Sequence, residues 1–274
     1  MLLLNFRAME TKIIQKYETV NLFGFSVFCD SLDKIDFKTR TVINTINPHS
    51  YHVALNDDTF YDALADSDIL LPDGIGIVLA NRILNKSKIQ KIAGFDLFMH
   101  ILERNKSKPI KCFFLGSTST TLRAIGKRLN KEYPNVQFAC FSPPFKDEFS
   151  KNDNEEMVSY INSFDPDFLF VGMTAPKQEK WTSENLKDLN VNVICNIGAV
   201  FDFYAGTAKR APSYLVNNGL EWLHRSMTST RLLKRSLTTS PLFLHYVFVE
   251  YMRNLMGVNE ENTDVISKSN RIPY

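Results

Sequence analysis

Asp73 stands in Pro72-Asp73-Gly74-Ile75-Gly76, between a short apolar run and an amphipathic stretch. A carboxylate at a strand's end, beside a glycine and a helix start, can accept the proton of an attacking hydroxyl. The plainer role for an Asp before Gly-Ile-Gly is a helix N-cap. The glycines also invite a dinucleotide-binding reading, with Asp96 about 20 residues downstream as its acidic residue. That fingerprint lacks its third glycine, because Leu79 stands there, so a nicotinamide or flavin cofactor is not expected.

Other polar groups follow apolar runs in the same way. Thr45-Ile46-Asn47-Pro48 offers a hydroxyl and an amide, both able to bond a phosphate or a sugar, although a turn at Asn-Pro is the plainer account. Pro176-Lys177-Gln178-Glu179-Lys180-Trp181 puts a proline in the first turn of a helix, leaving N–H groups and a lysine to meet an anion beside Gln178; a surface helix start is the alternative. Asn196 to Pro212 carries Gly198, Asp202, Gly206, Lys209 and Arg210 just beyond a β-branched run, where open α/β sheets place their ligands.

Several patterns point away from chemistry. His49 and His52 share a helix, but no third ligand has suitable spacing, so no metal site is expected. Asp66-Ser67-Asp68 and Asp165-Pro166-Asp167 match the DxD of metal-dependent sugar-nucleotide transferases, yet both precede strands, opposite the ligand-bearing loops, and read as solvated turns. No GxSxG, HExxH, Walker or kinase pattern occurs, which weakens hydrolase, metalloprotease and nucleotide-triphosphatase readings.

These residues need a scaffold, and the alternation of short apolar runs with amphipathic stretches predicts one: an α/β, Rossmann-like, largely parallel sheet with helices on both faces. Strands are expected at Thr41–Ile46, Ile69–Leu71, Lys111–Leu115, Val136–Cys140, Phe168–Val171 and Val191–Ile197. Helices are expected at His49–Ala65, Gly76–Leu84, Gly94–Arg104, Ser119–Glu132, Asn154–Phe164 and Lys177–Asp188, with loops punctuated by Gly, Pro, Asn or Ser after each strand. Residues 1–215 form this core, 216–258 a helical basic appendage and 259–274 a polar flexible tail.

The composition is that of an ordinary globular chain: 274 residues, 44% hydrophobic and 23% charged. A net charge of +2 gives no support to a nucleic-acid partner. The four cysteines form no CxxC pair and fit free buried thiols in a reducing cytosol. No signal peptide and no spanning helix is expected; the basic appendage, with Arg225, Arg231, Arg235, Trp222 and Leu223, suits an anionic bilayer surface or, more plainly, a solvated helix face.

In order, Asn44-Thr45-Ile46-Asn47-Pro48, Pro72 to Gly76, Ala93-Gly94-Phe95-Asp96-Leu97, Phe114-Leu115-Gly116, Gly172 to Trp181, Asn196 to Pro212 and Gly219-Leu220-Glu221-Trp222-Leu223-His224-Arg225 resemble the WecG/TagA/CpsF glycosyltransferase family, from about Asn44 to Arg235. The resemblance implies an inverting, metal-independent transfer of a hexose-type sugar, such as N-acetylmannosamine or its uronic acid, from a UDP-sugar to an undecaprenyl-diphosphate-linked sugar. It implies no cofactor, a cytoplasmic protein held peripherally on the inner membrane face, and a role in surface polysaccharide synthesis. Asp73 matches the proposed catalytic base, and Thr45, Asn47 and Gln178 match residues of the sugar-nucleotide pocket. Asp202 falls near the uracil and Phe145 where an aromatic would stack on it. Lys91 replaces the usual Arg, keeping the charge but losing the planar fork. Arg225, Arg231 and Arg235 match arginines that reach the lipid diphosphate, with Ser229-Thr230 where an acidic residue and a proline are common. A non-catalytic, nucleotide-binding regulatory protein on the same scaffold is the alternative; the sugar and a homo-oligomeric state stay open.

Overall fold

The computed structural model describes residues 16–209, 211–217, 221 and 230–256. A hairpin comes first, β1 (Thr19–Leu22) and β2 (Phe25–Phe28), followed by β3 (Thr41–Ile46), α1 (Pro48–Ala54), α2 (Asp58–Ala65), β4 (Ile69–Pro72), α3 (Ile75–Leu84) and α4 (Gly94–Arg104). The second half runs β5 (Ile110–Gly116), α5 (Ser119–Glu132), β6 (Val136–Phe141), α6 (Lys151–Phe164), β7 (Phe168–Gly172), α7 (Lys177–Asn185) and β8 (Val193–Asn196). Three helices close the described chain: α8 (Val200–Ala205), α9 (Ser213–Asn217) and α10 (Thr230–Leu255).

The eight strands form one sheet in the order β1-β2-β4-β3-β8-β7-β5-β6, parallel except for the β1–β2 pair. The expected α/β architecture is therefore present, with an edge hairpin that the sequence reading did not include. Its turn is Phe23-Gly24, with φ of +56° and +83°, the left-handed pair that matches strand twist in a two-residue hairpin.

Alternation along the strands separates the two faces. Ile43, Ile69, Leu71, Cys112, Phe114, Phe170 and Cys195 meet Phe98 of α4, Leu122 and Leu129 of α5, and Phe201 and Tyr204 of α8. On the opposite face Ile46 and Leu70 meet Tyr51, Phe60, Ile77, Phe243 and Val247, from α1, α2, α3 and α10. Beyond them Val42, Phe113, Leu115, Leu169 and Ile194 meet Met157 and Ile161 of α6 and Trp181 of α7. Strands buried on both faces read as near-continuous apolar runs, which is why β3, β4, β5, β7 and β8 were visible in the sequence.

The single helix expected over His49–Ala65 is two. Asp57, with φ of −140°, breaks it, because its carboxylate accepts from Phe60 N at 3.0 Å and so caps α2. Helix α6 starts at Lys151, three residues earlier than expected, on a Ser150–Asp153 capping box. The thiols are free as expected and Cys112 and Cys195 are buried, but Cys29 is only half-buried and Cys140, on the edge strand β6, is exposed.

Candidate functional site

Every parallel strand from β3 to β8 ends on the same edge of the sheet, so the loops that follow them line one rim. From β4 to β5 the rim crosses β3, β8 and β7, four steps of about 4.8 Å, or roughly 19 Å. That length suits an elongated ligand lying across the strand ends.

At one end stand Asp73, Asn47 and Lys91. Ile46 pairs with Pro72 in register, so Asn47 and Asp73 leave adjacent strands side by side, and Asp73 N donates to Ile46 O at 2.8 Å. Ile92 N donates to Pro72 O at 3.0 Å, which sets Lys91 on the far side of Asp73. Helix α3 is capped by Gly74, with φ of +98° and no side-chain cap bond, so Asp73 is not its N-cap. Asp73 sits partly exposed at the rim. Asn47 does have a structural job, since its Oδ1 accepts from His49 N and Ser50 N, both at 3.0 Å, to start α1. Its Nδ2 is the group left to face a ligand. Thr45, half-buried, opposes Leu71 one step back on β3.

Lys91 lies 3.7 Å from Glu221 Oε2, and both side chains are largely covered, at 17% and 16% exposure. Glu221 belongs to the C-terminal segment, so that segment reaches back to the rim at this cation. Arg225 lies outside the described residues. The backbone of α10 carries positions 231 and 235, and the side chains of Arg231 and Arg235 are outside the described part.

The middle of the rim is formed by β8 and β7. Gln178, 3% exposed, accepts from Met173 N at 3.2 Å through Oε1 and donates from Nε2 to Glu179 Oε1 at 2.8 Å. Gly198, with φ of +55°, lies against this amide: a Cβ there would stand 3.7 Å from Gln178 Oε1 and 3.8 Å from Nε2. Below it runs a buried polar chain. Thr182, one turn after Gln178, donates to Asn196 Oδ1 at 2.9 Å; Asn196 Nδ2 donates to Asn44 Oδ1 at 2.6 Å; and Asn44 Nδ2 donates to Ala63 O and Ser67 Oγ. These bonds tie α7 to β8, β3 and the end of α2.

At the other end, Asp202 sits in the first turn of α8, where its Oδ1 accepts from Thr207 Oγ1 at 3.3 Å and, at 3.5 Å, from Thr121 Oγ1 of α5. Phe145, in the loop after β6, is fully exposed and free to lie on a flat ligand. The structure thus brings Asp73, Thr45, Asn47, Lys91, Gln178 and Asp202 to one rim.

Three other motifs take local structural roles. Lys177 does not await an anion, because its ammonium lies 3.6 Å from the centre of the Phe149 ring and donates to Lys146 O. Asp96 caps α4 by accepting from Ala93 N at 3.0 Å, which occupies the dinucleotide motif's acidic residue. The two DxD motifs are not simply solvated: Asp68 accepts from Val42 N and Asp167 from Lys111 N, each at 2.7 Å, closing strand starts on the edge opposite the rim. Among the described residues no cluster of His, Cys, Asp or Glu could hold a metal ion, and no helix is long and apolar enough to cross a membrane.

Sequence reasoning gave no role to Asn44, Asn196, Glu179 or Glu221. The first two carried a signal, a carboxamide inside otherwise apolar runs at positions the β3–β8 register makes neighbours. The last two could not be found from spacing, because their partners are fixed by the packing of α7 and of the C-terminal segment.

The model of the glycosyl transferase WecG/TagA/CpsF family matches residues 19–256. The N-acetylglucosaminyldiphosphoundecaprenol N-acetyl-beta-D-mannosaminyltransferase of Bacillus subtilis (strain 168) is 32% identical over 232 residues, 84% of this chain and 88% of that protein. The protein of the same name from Bacillus spizizenii is 29% identical over the same shares. That from Staphylococcus aureus (strain NCTC 8325) is 28% identical over 75% of this chain and 78% of its own length.

Proposed function

Since the chain belongs to the WecG/TagA/CpsF glycosyl transferase family and is a hexosyltransferase, we propose that it moves N-acetylmannosamine or a related hexose from a UDP-sugar to an undecaprenyl-diphosphate-linked acceptor. The carrying observation is the cluster at β3 and β4: Asp73 beside Asn47 and Lys91, with the helix cap left to Gly74. Asp73 removes the proton of the acceptor hydroxyl, whose oxygen attacks the anomeric carbon from the face opposite UDP. The C–O bond to the diphosphate breaks, UDP leaves with the electron pair, and the anomeric configuration inverts. Lys91, backbone N–H groups at helix starts and appendage arginines meet the leaving charge.

The donor lies along the rim, its sugar toward Asp73 and Asn47, its middle under Gln178, and its uracil toward Asp202 with Phe145 closing over it. The relatives' names supply the acceptor class and the mannosaminyl group. A peripheral stance on a membrane surface is supported by α10, where Leu237, Leu244, Phe248 and Leu255 are exposed at helical spacing.

The test is UDP release by the full chain on vesicles carrying polyprenyl-diphosphate-N-acetylglucosamine, with a panel of UDP-sugars. UDP-N-acetylmannosamine is expected to give the highest rate, and weak turnover is expected without membrane. No UDP release from any donor would overturn the reading.

A further inference from the structure

Gln178 ends in a carboxamide, whose two faces are nearly the same shape but opposite in chemistry. Which end meets a ligand depends on what holds the other contacts. Met173 N–H requires an oxygen and finds Gln178 Oε1 at 3.2 Å; Glu179 Oε1 requires a donor and finds Gln178 Nε2 at 2.8 Å. With the carboxylate ionised, a flipped amide would set oxygen against oxygen at Glu179, and in either charge state it would set N–H against N–H at Met173. Together the two contacts reject the wrong orientation.

Glu179 is an expensive way to do this. Its side chain is 2% exposed, and its second oxygen, Oε2, is buried without a hydrogen-bond partner. Burying a carboxyl with an orphaned oxygen costs folding free energy, and such costs concentrate at functional sites. Burial, opposed by the bond from Gln178, pushes the carboxyl up to about 7. Lys180, the next residue of α7, is engaged with Asp57 at the start of α2 at 3.0 Å.

We propose that Glu179 is the positioning residue of the donor pocket, holding the Gln178 amide in a single orientation over the Gly198 turn so that its remaining N–H and lone pair meet the sugar nucleotide. This rests on the donor reading given above. The same α7 turn that presents Gln178 then carries its own orienting group, while Thr182 fixes the helix to β8 through Asn196.

The test is a double-mutant cycle in the full chain, with KM and kcat measured for UDP-N-acetylmannosamine and its binding measured by titration. E179M is expected to raise KM about tenfold, the worth of one or two net hydrogen bonds, with a smaller change in kcat. E179Q, which can still present an oxygen to Gln178, is expected to recover most of that loss. In a Q178A background E179M is expected to add nothing, because the residue acts through Gln178. The Gln178 side-chain amide resonances, dispersed in the wild type, are expected to move toward solvent-averaged positions in E179M and not in E179Q.

An equal E179M penalty with and without Gln178 would overturn the inference, as would an unmoved KM with a merely lowered Tm. Normal wild-type binding with such a result sinks Glu179's role alone. Failure of the wild type to bind any UDP-sugar would sink the donor reading together with the purpose assigned to Gln178.

Discussion

Two carboxylates at the rim are held in opposite ways, and their substitutions should be told apart. Asp73 is partly exposed at the end of β4, with the capping of α3 left to Gly74. Asp73→Asn keeps size and polarity and removes the base, so turnover should fall by about 10²–10⁴-fold while UDP-sugar affinity stays near normal. Paired kcat measurements and donor titrations check this; unchanged turnover would reduce Asp73 to a structural residue. Glu179 is buried, and its carboxyl is raised from 4.5 to about 7. A carboxyl whose folded value lies above its unfolded one weakens the fold as pH rises from about 4.5 to about 7, because the unfolded chain releases its proton first; the accumulated loss is about 3 kcal/mol. Glu179→Gln removes that loss. The variant should therefore be more stable than wild type at pH 8 by up to about 3 kcal/mol, and by less than about 1 kcal/mol at pH 5, as read by urea unfolding at both. An equal gain at both pH values would mean that the carboxyl does not titrate in this range.

The elements are registered by polar bonds as much as by apolar packing. Asn196 stands at the end of β8, fully buried, and links Thr182 of α7 to Asn44 of β3. Asn196→Ala leaves both Thr182 Oγ1 and Asn44 Oδ1 without this partner and should cost about 3 kcal/mol, whereas Thr182→Val breaks a single bond and should cost about half as much. Urea unfolding of the two variants tests the ordering, and equal costs would show that the link to β3 contributes little. Strands, helices and the rim were legible in the sequence because buried parallel strands and their punctuated loops are local patterns. The break at Asp57 was less so, since a capping Asp inside an apolar-periodic stretch looks like an exposed helical residue until its bonds to Phe60 N and Lys180 are seen. The β1–β2 hairpin was missed because its turn is Phe-Gly, without the Asn or Asp that normally marks a left-handed first position. Asp73, Asn47 and Gln178 could be named from their motifs; that Lys177 instead joins Phe149 could not, since the loop after β6 comes from far away in the chain.

Across the whole molecule, the described part of the C-terminal segment meets the core both at Glu221 and along α10. Phe243 and Val247 of α10 are buried against α1 and α3, with the Phe243 ring 5.8 Å from Tyr51 and 5.7 Å from Phe23. Cutting the chain near Pro212 would uncover this apolar surface, so lost activity in such a truncation would mix instability with loss of the proposed acceptor contacts. A single substitution separates them. Glu221 pairs with Lys91 at 3.7 Å, and both are largely covered, so the cation that should meet the donor diphosphate is already partnered by a carboxylate of the chain. A diphosphate arriving at Lys91 has to displace or share that partner, and each such competition weakens donor binding by the strength of the contact it breaks. Glu221→Gln removes the competing charge and leaves Phe243 and Val247 in place. UDP should then bind about threefold to tenfold more tightly, with the Tm read alongside for the cost of the lost ion pair, and Lys91→Gln should weaken binding by a similar factor. Isothermal titration with UDP gives both numbers. If Glu221→Gln weakens binding instead, Glu221 aims Lys91 at the donor rather than withholding it, and the C-terminal segment is a fixed wall of the pocket.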